Sequence, residues 1–532
     1  MTHAPHDPDR LAKTRRWRAA LGASIAACIG VPSGFAQPTP PPRGITLIAS
    51  AEGLATVRRR PVADTTLDLL RETGLVTPED DAAWSRLAGS LGLSASATFD
   101  ALAGRRITIA IGKPDAASTS PRWTALLDVD QATAKHVIDT LKPAPRGLEG
   151  GMPRWSLEGG ALDLTKIGEH PGGILVALAP AGVSLFREHT DAARWLLAPA
   201  PGETRVSAMI PGSVPGESHR AECTIVPRTN GWSATISADA GLFGVTPGTR
   251  PPGVAGSPPP PGAPPRPLFS IEAWSASPRA AADSPISLYY AAFSMMGVRM
   301  PEWSNLGPRF VLTLDDISSP ARAAGPATPS SVTLTIAVET RDLARAARQG
   351  DAMLDSLLSL PARVNALTSF ITKLPDTALT ILRGERPRPP EFRRAPKGLP
   401  GDPDALRLAF LNPAAPGDAP ATVLAWTYLA HPDGSPGGWW LIHMRTGSDA
   451  DAQAAIDLAS RELTQRENRF PLLRVRARPA PLHDLITRDS PPLPPGWLRA
   501  MRLVETADLD VWLDERGHAV GTADIRLRSS AR

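Results

Sequence analysis

The 532-residue chain is 42% hydrophobic and 21% charged, a balance that builds buried cores and excludes disorder throughout, and its length allows about two to four domains. Its 57 basic and 53 acidic residues include five and two within residues 1–36, which leaves 52 against 51, a net of +1, for the remainder. With seven lysines in all and no basic stripe along one face, the chain lacks the electrostatic footprint of a nucleic-acid binder.

The N-terminus carries the clearest functional signal. "KTRRWR" is a basic start, "AALGASIAACIGV" (19–31) an apolar stretch, and "PSGFA" a break ending in small residues. That order predicts a secretory signal peptide over residues 1–36, cleaved between Ala36 and Gln37. The apolar stretch is shorter than the ~20 residues a bilayer requires, so no transmembrane helix is expected in the mature chain. "TRRWRA" resembles a twin-arginine signal, although Arg18 stands where that motif prefers an apolar residue. "IAAC" resembles a lipobox and would place a lipid on Cys28. After cleavage only Cys223 remains, so no internal disulfide can form. In "AECTIV" Cys223 alternates with Ala221 and Ile225, the pattern of a small buried hydrophobe.

A proline-rich spacer (37–44) precedes helical segments, "ADTTLDLLRETG" and "TPEDDAAWSRLAGSLG", the second with Pro78 at its first helical position. "RRITIAIG" and "RWTALLDVD" then alternate as two strands of a hairpin. The helix after them carries Ala134, Val137, Ile138 and Leu141 on one stripe, with Asp130 as its N-cap. "RFVLTLDDI" and "SVTLTIAVE" repeat that grammar before a helix capped by Asp342; "ATVLAWTYLA" and "GWWLIHMRT" repeat it before a helix capped by Ser448 or Asp449. None of the three junctions contains the G-x-G-x-x-G turn of a dinucleotide site. Between the first two copies, Asn230-Gly231 predicts a tight hairpin turn. The expected fold class is therefore α+β: antiparallel sheets covered on one side by helices, with three β-hairpin–helix repeats. The expected organisation is an N-terminal α+β domain over 45–250, a proline-rich linker over 251–267, and a C-terminal α+β domain over 268–532 with two of the repeats.

Motifs that carry chemistry are few in the sequence. There is no G-x-S-x-G elbow, H-E-x-x-H, P-loop or paired C-x-x-C, and none of the ten histidines forms an i, i+4 pair for zinc. No catalytic residue, metal ligand or cofactor is assigned. His443 shares a strand face with Trp439, Leu441 and Arg445, and is read as part of an exposed or interfacial side of the third hairpin. His483 lies beside Asp484 in "LHDL", but neighbours in sequence point apart. Residues 383–397 carry six basic side chains and are read as a solvated loop; residues 284–300, with Tyr289, Tyr290, Met295 and Met296, as a core helix.

The leader, the segment "LIASAEGLATVRRRPVADTTLDLLRETG" and the strand–Asp–helix junctions at Asp130 and Asp342 resemble an uncharacterised family of exported bacterial proteins known only as a domain of unknown function. The resemblance covers residues 45–145 and 305–465 and is one of layout. It implies export and an α+β build and lends no catalytic residues. The expectation is an exported, periplasmic, non-enzymatic protein that binds an envelope protein or ligand, or serves as structure. The alternatives are a periplasmic hydrolase with a dispersed His/carboxylate site and a lipid-anchored assembly factor held by Cys28. Neither the partner nor the oligomeric state is legible in the sequence.

Overall fold

The computed structural model describes residues 45–73, 76–112, 122–141, 144–149, 152–157, 162–170, 173–180, 199–211, 218–243, 245, 267–274, 302–317, 331–358, 393–396, 407–411, 422–431, 434, 436–446, 454, 456–461, 463, 471–479, 495–514 and 516–528. The expected leader with Cys28, Ala36 and Gln37, the spacer, residues 251–266 of the expected linker, residues 284–300, "LHDL" and the expected cap Ser448 lie outside them. Contacts divide the chain into two compact units: residues 1–242 together with 478–532, and residues 243–477.

The first unit opens with β1 (Ile45–Glu52) and four helices, α1 (Leu54–Arg58), α2 (Pro61–Glu72), α3 (Pro78–Ser90) and α4 (Ala95–Leu102). Pro61 starts α2, where a missing N–H costs nothing. The Ser94 hydroxyl caps α4 by accepting the Ala97 N–H at 3.2 Å. Arg58 ties α1 to α4 by donating through Nε and Nη2, at 2.8 and 2.6 Å, to the two carboxylate oxygens of Asp100. There follow β2 (Arg106–Gly112), β3 (Arg122–Val129), α5 (Gln131–Leu141), β4 (Ala144–Glu149), β5 (Met152–Leu157), β6 (Leu162–His170), β7 (Gly173–Pro180), β8 (Thr204–Pro211), β9 (Ser218–Arg228) and β10 (Gly231–Ala238). Their hydrogen-bonded order is β4-β5-β6-β7-β3-β2-β1-β8-β9-β10, antiparallel at every step. Ala134 of α5 packs with Val129, Leu164 and Val176. The opposite face collects Ile45, Ile48, Ala110, Leu126 and Ala177.

The second unit contains β11 (Phe269–Trp274), β12 (Leu306–Ile317), β13 (Ser331–Thr340), α6 (Leu343–Leu358), β14 (Arg393–Pro396), β15 (Arg407–Leu411), β16 (Thr422–Ala430), β17 (Gly438–Thr446) and β18 (Leu473–Ala477), with residues 456–461 helical between the last two. The order is β18-β11-β12-β13-β17-β16-β15-β14, again antiparallel throughout. Two clusters occupy its two faces. Ala346, Ala347 and Leu354 of α6 pack on Leu424, Trp426, Tyr428 and Trp440. Ile456 and Leu463 pack on Val311, Ala337, Ala425, Trp439 and Leu441.

The chain then returns to the first unit with α7 (Pro495–Leu503), β19 (Val504–Leu513) and β20 (Ala519–Leu527). β20 pairs on one side with β19 and on the other with β10. α7 lies against α2, where Arg499 Nε donates to Glu72 at 2.6 Å.

These findings correct the expected fold class. The protein is predominantly antiparallel sheet with few helices, not an α+β fold of three hairpin–helix repeats. The strand pairs at 106–129, 306–340 and 422–446 exist, but each is continuous with strands on either side, and β13 pairs directly with β17. The sheet of the second unit is also not covered on one side alone. Residues 424–428 are buried consecutively, because a strand packed on both faces has no polar side to alternate with.

Candidate functional site

A cluster of ionisable side chains lies in the second unit, on the face that Ile456 and Leu463 cover. Arg309 of β12 is in register with Trp274 of β11, and Glu339 of β13 with Trp439 of β17. The β12–β13 register is irregular between Leu306 and Phe310, and within that stretch Arg309 bonds Glu339. Its backbone N–H donates to Glu339 Oε2 at 3.0 Å, its Nε to the same oxygen at 2.9 Å, and its Nη2 to Oε1 at 2.8 Å. The guanidinium also stands 4.9 Å from the centroid of the Trp439 ring, a cation–π contact. His431, at the end of β16, brings Nε2 to 3.5 Å from Glu339 Oε1 and meets the Trp439 ring edge-on. All three ionisable side chains are nearly enclosed, at 10%, 12% and 7% exposure for Arg309, Glu339 and His431.

Glycines make room for this cluster. A Cβ at Gly307 would collide with the Glu339 side chain, and one at Gly437 would press on the Thr340 carbonyl and the His431 ring. Gly434, at φ 73°, turns the chain between β16 and β17 and donates its N–H to the His431 carbonyl at 3.1 Å.

Further ion pairs and hydrogen bonds lie on the same face. Arg474 Nη1 donates to Glu272 Oε2 at 3.0 Å. His443 is buried, with Nδ1 3.0 Å from the Thr335 hydroxyl. Of the exposed and interfacial readings of that strand face, the burial of His443 removes the exposed one, since Ile456 packs with Trp439 and Leu441 on the same face. On the opposite face, Asp351 Oδ1 accepts from Trp426 Nε1 at 2.8 Å and Tyr428 Oη at 3.2 Å.

Chemically, the Arg309–Glu339 pair is a two-pronged guanidinium–carboxylate clasp, which fixes geometry more strongly than a single contact. Both Glu339 oxygens accept from Arg309, so the carboxylate serves as an anchor between strands. Among the described residues, no group of three or more His, Cys, Asp or Glu side chains could hold a metal ion.

Asp130 accepts the Thr133 N–H at 2.8 Å and the Thr133 hydroxyl at 2.6 Å. These bonds, the hydroxyl foremost, hold its carboxyl below the usual range. Asp342 Oδ1 accepts the Arg345 N–H at 2.9 Å, and its own N–H donates to Asn305 Oδ1 at 3.0 Å. Cys223 is buried in β9. The structure brings none of these to the Arg309 cluster. Sequence reasoning missed Arg309, Glu339 and His431, which lie in three different strand or turn segments. The one local signal was "NLGPRF", whose Gly-Pro before Arg309 marks an irregular strand start.

Among the described residues no helix is long and apolar enough to cross a membrane. No protein-family model matches the chain, and no curated protein and no solved structure is detectably similar to it.

Proposed function

We propose that the protein is an exported, non-enzymatic component of the bacterial envelope that binds a partner or serves as structure. The observation that supports this reading is the way the Arg309–Glu339–His431 cluster closes on itself. Both Glu339 oxygens are taken by Arg309, and Trp439 and His431 wall the pair in. Such a clasp holds two strands in register, whereas a reactive carboxylate keeps an oxygen facing its substrate. The basic-apolar-small order of residues 1–36 is the ground for export.

The test is expression of the full chain in a bacterium, with intact mass and fractionation as readouts. The expected product begins at Gln37 and is released with the periplasmic contents. A cytosolic product that keeps residues 1–36 overturns export, and a lipid-bearing Cys28 replaces release with anchoring. Variants Glu339→Gln and His431→Ala address the role of the cluster. They are expected to lower stability, and the purified parent is expected to hydrolyse no envelope ester, peptide or glycan. A hydrolytic activity lost in both, at unchanged folding, overturns the non-enzymatic reading.

A further inference from the structure

Eight strands of the first unit run β8-β1-β2-β3-β7-β6-β5-β4, and the eight of the second run β18-β11-β12-β13-β17-β16-β15-β14. The two orders are the same under a shift of ten. The match is specific because each order contains the same two jumps, third strand beside seventh and first beside eighth. Chemical details recur at matching places. In each unit an aspartate, Asp130 or Asp342, caps the helix that leaves the third strand. Just ahead of each cap an acid of that strand meets an arginine of the second strand: Asp128 is paired in register with Arg106, and Glu339 is clasped by Arg309.

The series continues in the first unit with hairpin β9–β10, and after β18 with hairpin β19–β20. These hairpins join inside the first unit in the order β9-β10-β20-β19. The β10·β20 pairing runs from Gly231↔Arg526 to Ala238↔Ala519, and at its middle Ala234 faces Ala523 and Thr235 faces Thr522. β10 and β20 are the tenth strands of the two series, and equivalent strands paired antiparallel to each other make an isologous contact about a two-fold axis.

We propose that residues 45–243 and 269–527 are two copies of one ten-strand unit. On this view β10 is a self-complementary edge whose partner is a second copy of that unit, supplied within this chain by β20. An uncovered strand edge recruits another strand, and covalent linkage makes the internal copy the favoured occupant by raising its effective concentration to the millimolar range. A chain deprived of β19 and β20 therefore pairs β10 with the β10 of another chain.

Two measurements test this. In the first, a protease site is placed within residues 251–266 of the full chain, which also carries Thr235→Cys and Thr522→Cys. After cutting under native conditions, the two fragments are expected to elute as one particle and to be disulfide-linked. The displaced pair Thr235→Cys with Arg526→Cys is expected to stay unlinked. Fragments that separate, or that link equally at position 526, overturn the pairing. In the second, a chain ending at Leu503 is expected to double in mass by light scattering and to be linked across chains by a single Ala234→Cys or Thr235→Cys. A folded monomer at every concentration overturns self-complementarity. If that chain does not fold, the cut full-length protein bearing one of those single cysteines decides after unfolding and refolding. Links between two N-terminal fragments support the proposal, and their absence overturns it.

Discussion

Glu339 shows what a buried pair contributes and what its loss costs. With both oxygens accepting from a guanidinium itself only 10% exposed, Glu339→Ala strands a charge in the sheet, a change that destabilises by about 3–5 kcal/mol. The double variant Arg309→Met/Glu339→Leu removes both charges and fills the space, so it is expected to recover most of that loss; urea denaturation of the three proteins measures the difference. A double variant as unstable as the single one would mean that the clasp contributes net stability beyond avoiding an orphaned charge. Asp130 acts through pH instead. Its folded carboxyl titrates below its ordinary value because the Thr133 hydroxyl and N–H bond the charged form. Its stabilisation is therefore present above the unfolded value of about 3.9 and is lost as pH falls through the depressed folded one. Asp130→Ala is expected to cost about 1 kcal/mol near neutrality, and the gap from the parent should close as the medium is acidified. Asp100, lowered chiefly by its hydrogen bond from Arg58, titrates with the same sign, so some acid sensitivity survives in the Asp130→Ala protein.

Among the elements, α6 packs more tightly on its sheet than its composition suggests. Gly350 faces the sheet where an added Cβ would overlap Tyr428 Oη and come within 3.0 Å of the Trp440 ring. Tyr428 and Trp440 are buried and stacked, with centroids 6.2 Å apart, so neither ring can swing away. Gly350→Ala is thus expected to destabilise by about 1–3 kcal/mol, despite the helix propensity it gains. Gly89 in α3 has nothing within 4 Å of its missing Cβ, and Gly89→Ala is expected to stabilise by up to about 1 kcal/mol; thermal melts of the two variants should shift in opposite directions. The helix after Asp342 was visible in the sequence, as were the long alternating strands β2, β3, β12 and β13. Strands β4 and β5 were not, because "APRGLE" and "MPRWSL" interrupt any alternation with Pro and Gly. Alternation states which face a residue takes and is silent on which strand lies alongside. For that reason the contact of β13 with β17, which joins Ile336 to Ile442 across the sheet, had no local signal. His431 reaches Glu339 only through that same neighbour relation, whereas Arg309 and Glu339 share a hairpin the sequence did show and were hidden because alternation does not state its register.

At the scale of the whole molecule, the first unit depends on chain that comes last. The N-terminal stretch ends its sheet at β10, and only β20, nearly three hundred residues later in the sequence, completes the pairing. Gly231 sits at the point where that seam closes. The sequence reading placed it in a turn beside Asn230, but it is the first residue of β10 and pairs with Arg228 on one side and Arg526 on the other. A Cβ there would overlap the Ile525 carbonyl oxygen, so the position demands glycine for close approach rather than for turn geometry. Gly231→Ala is expected to push β20 away at its C-terminal end, where the Leu527 N–H donates to the Asn230 carbonyl at 2.7 Å. Overpacking of this kind costs about 1–3 kcal/mol. Because each 1.4 kcal/mol is about tenfold in an opening equilibrium, amide exchange across 519–527 should accelerate by about ten- to a hundredfold. The loss should stay local: β19, paired with β20 along its length, should loosen with it, whereas β17 of the second unit should keep its protection. Hydrogen exchange followed by mass spectrometry reads all three segments at once. Equal acceleration in β17 would mean that the whole protein opens together and that the seam is no separate cooperative element; unchanged exchange in 519–527 would mean that β10 holds β20 too loosely for the collision to matter.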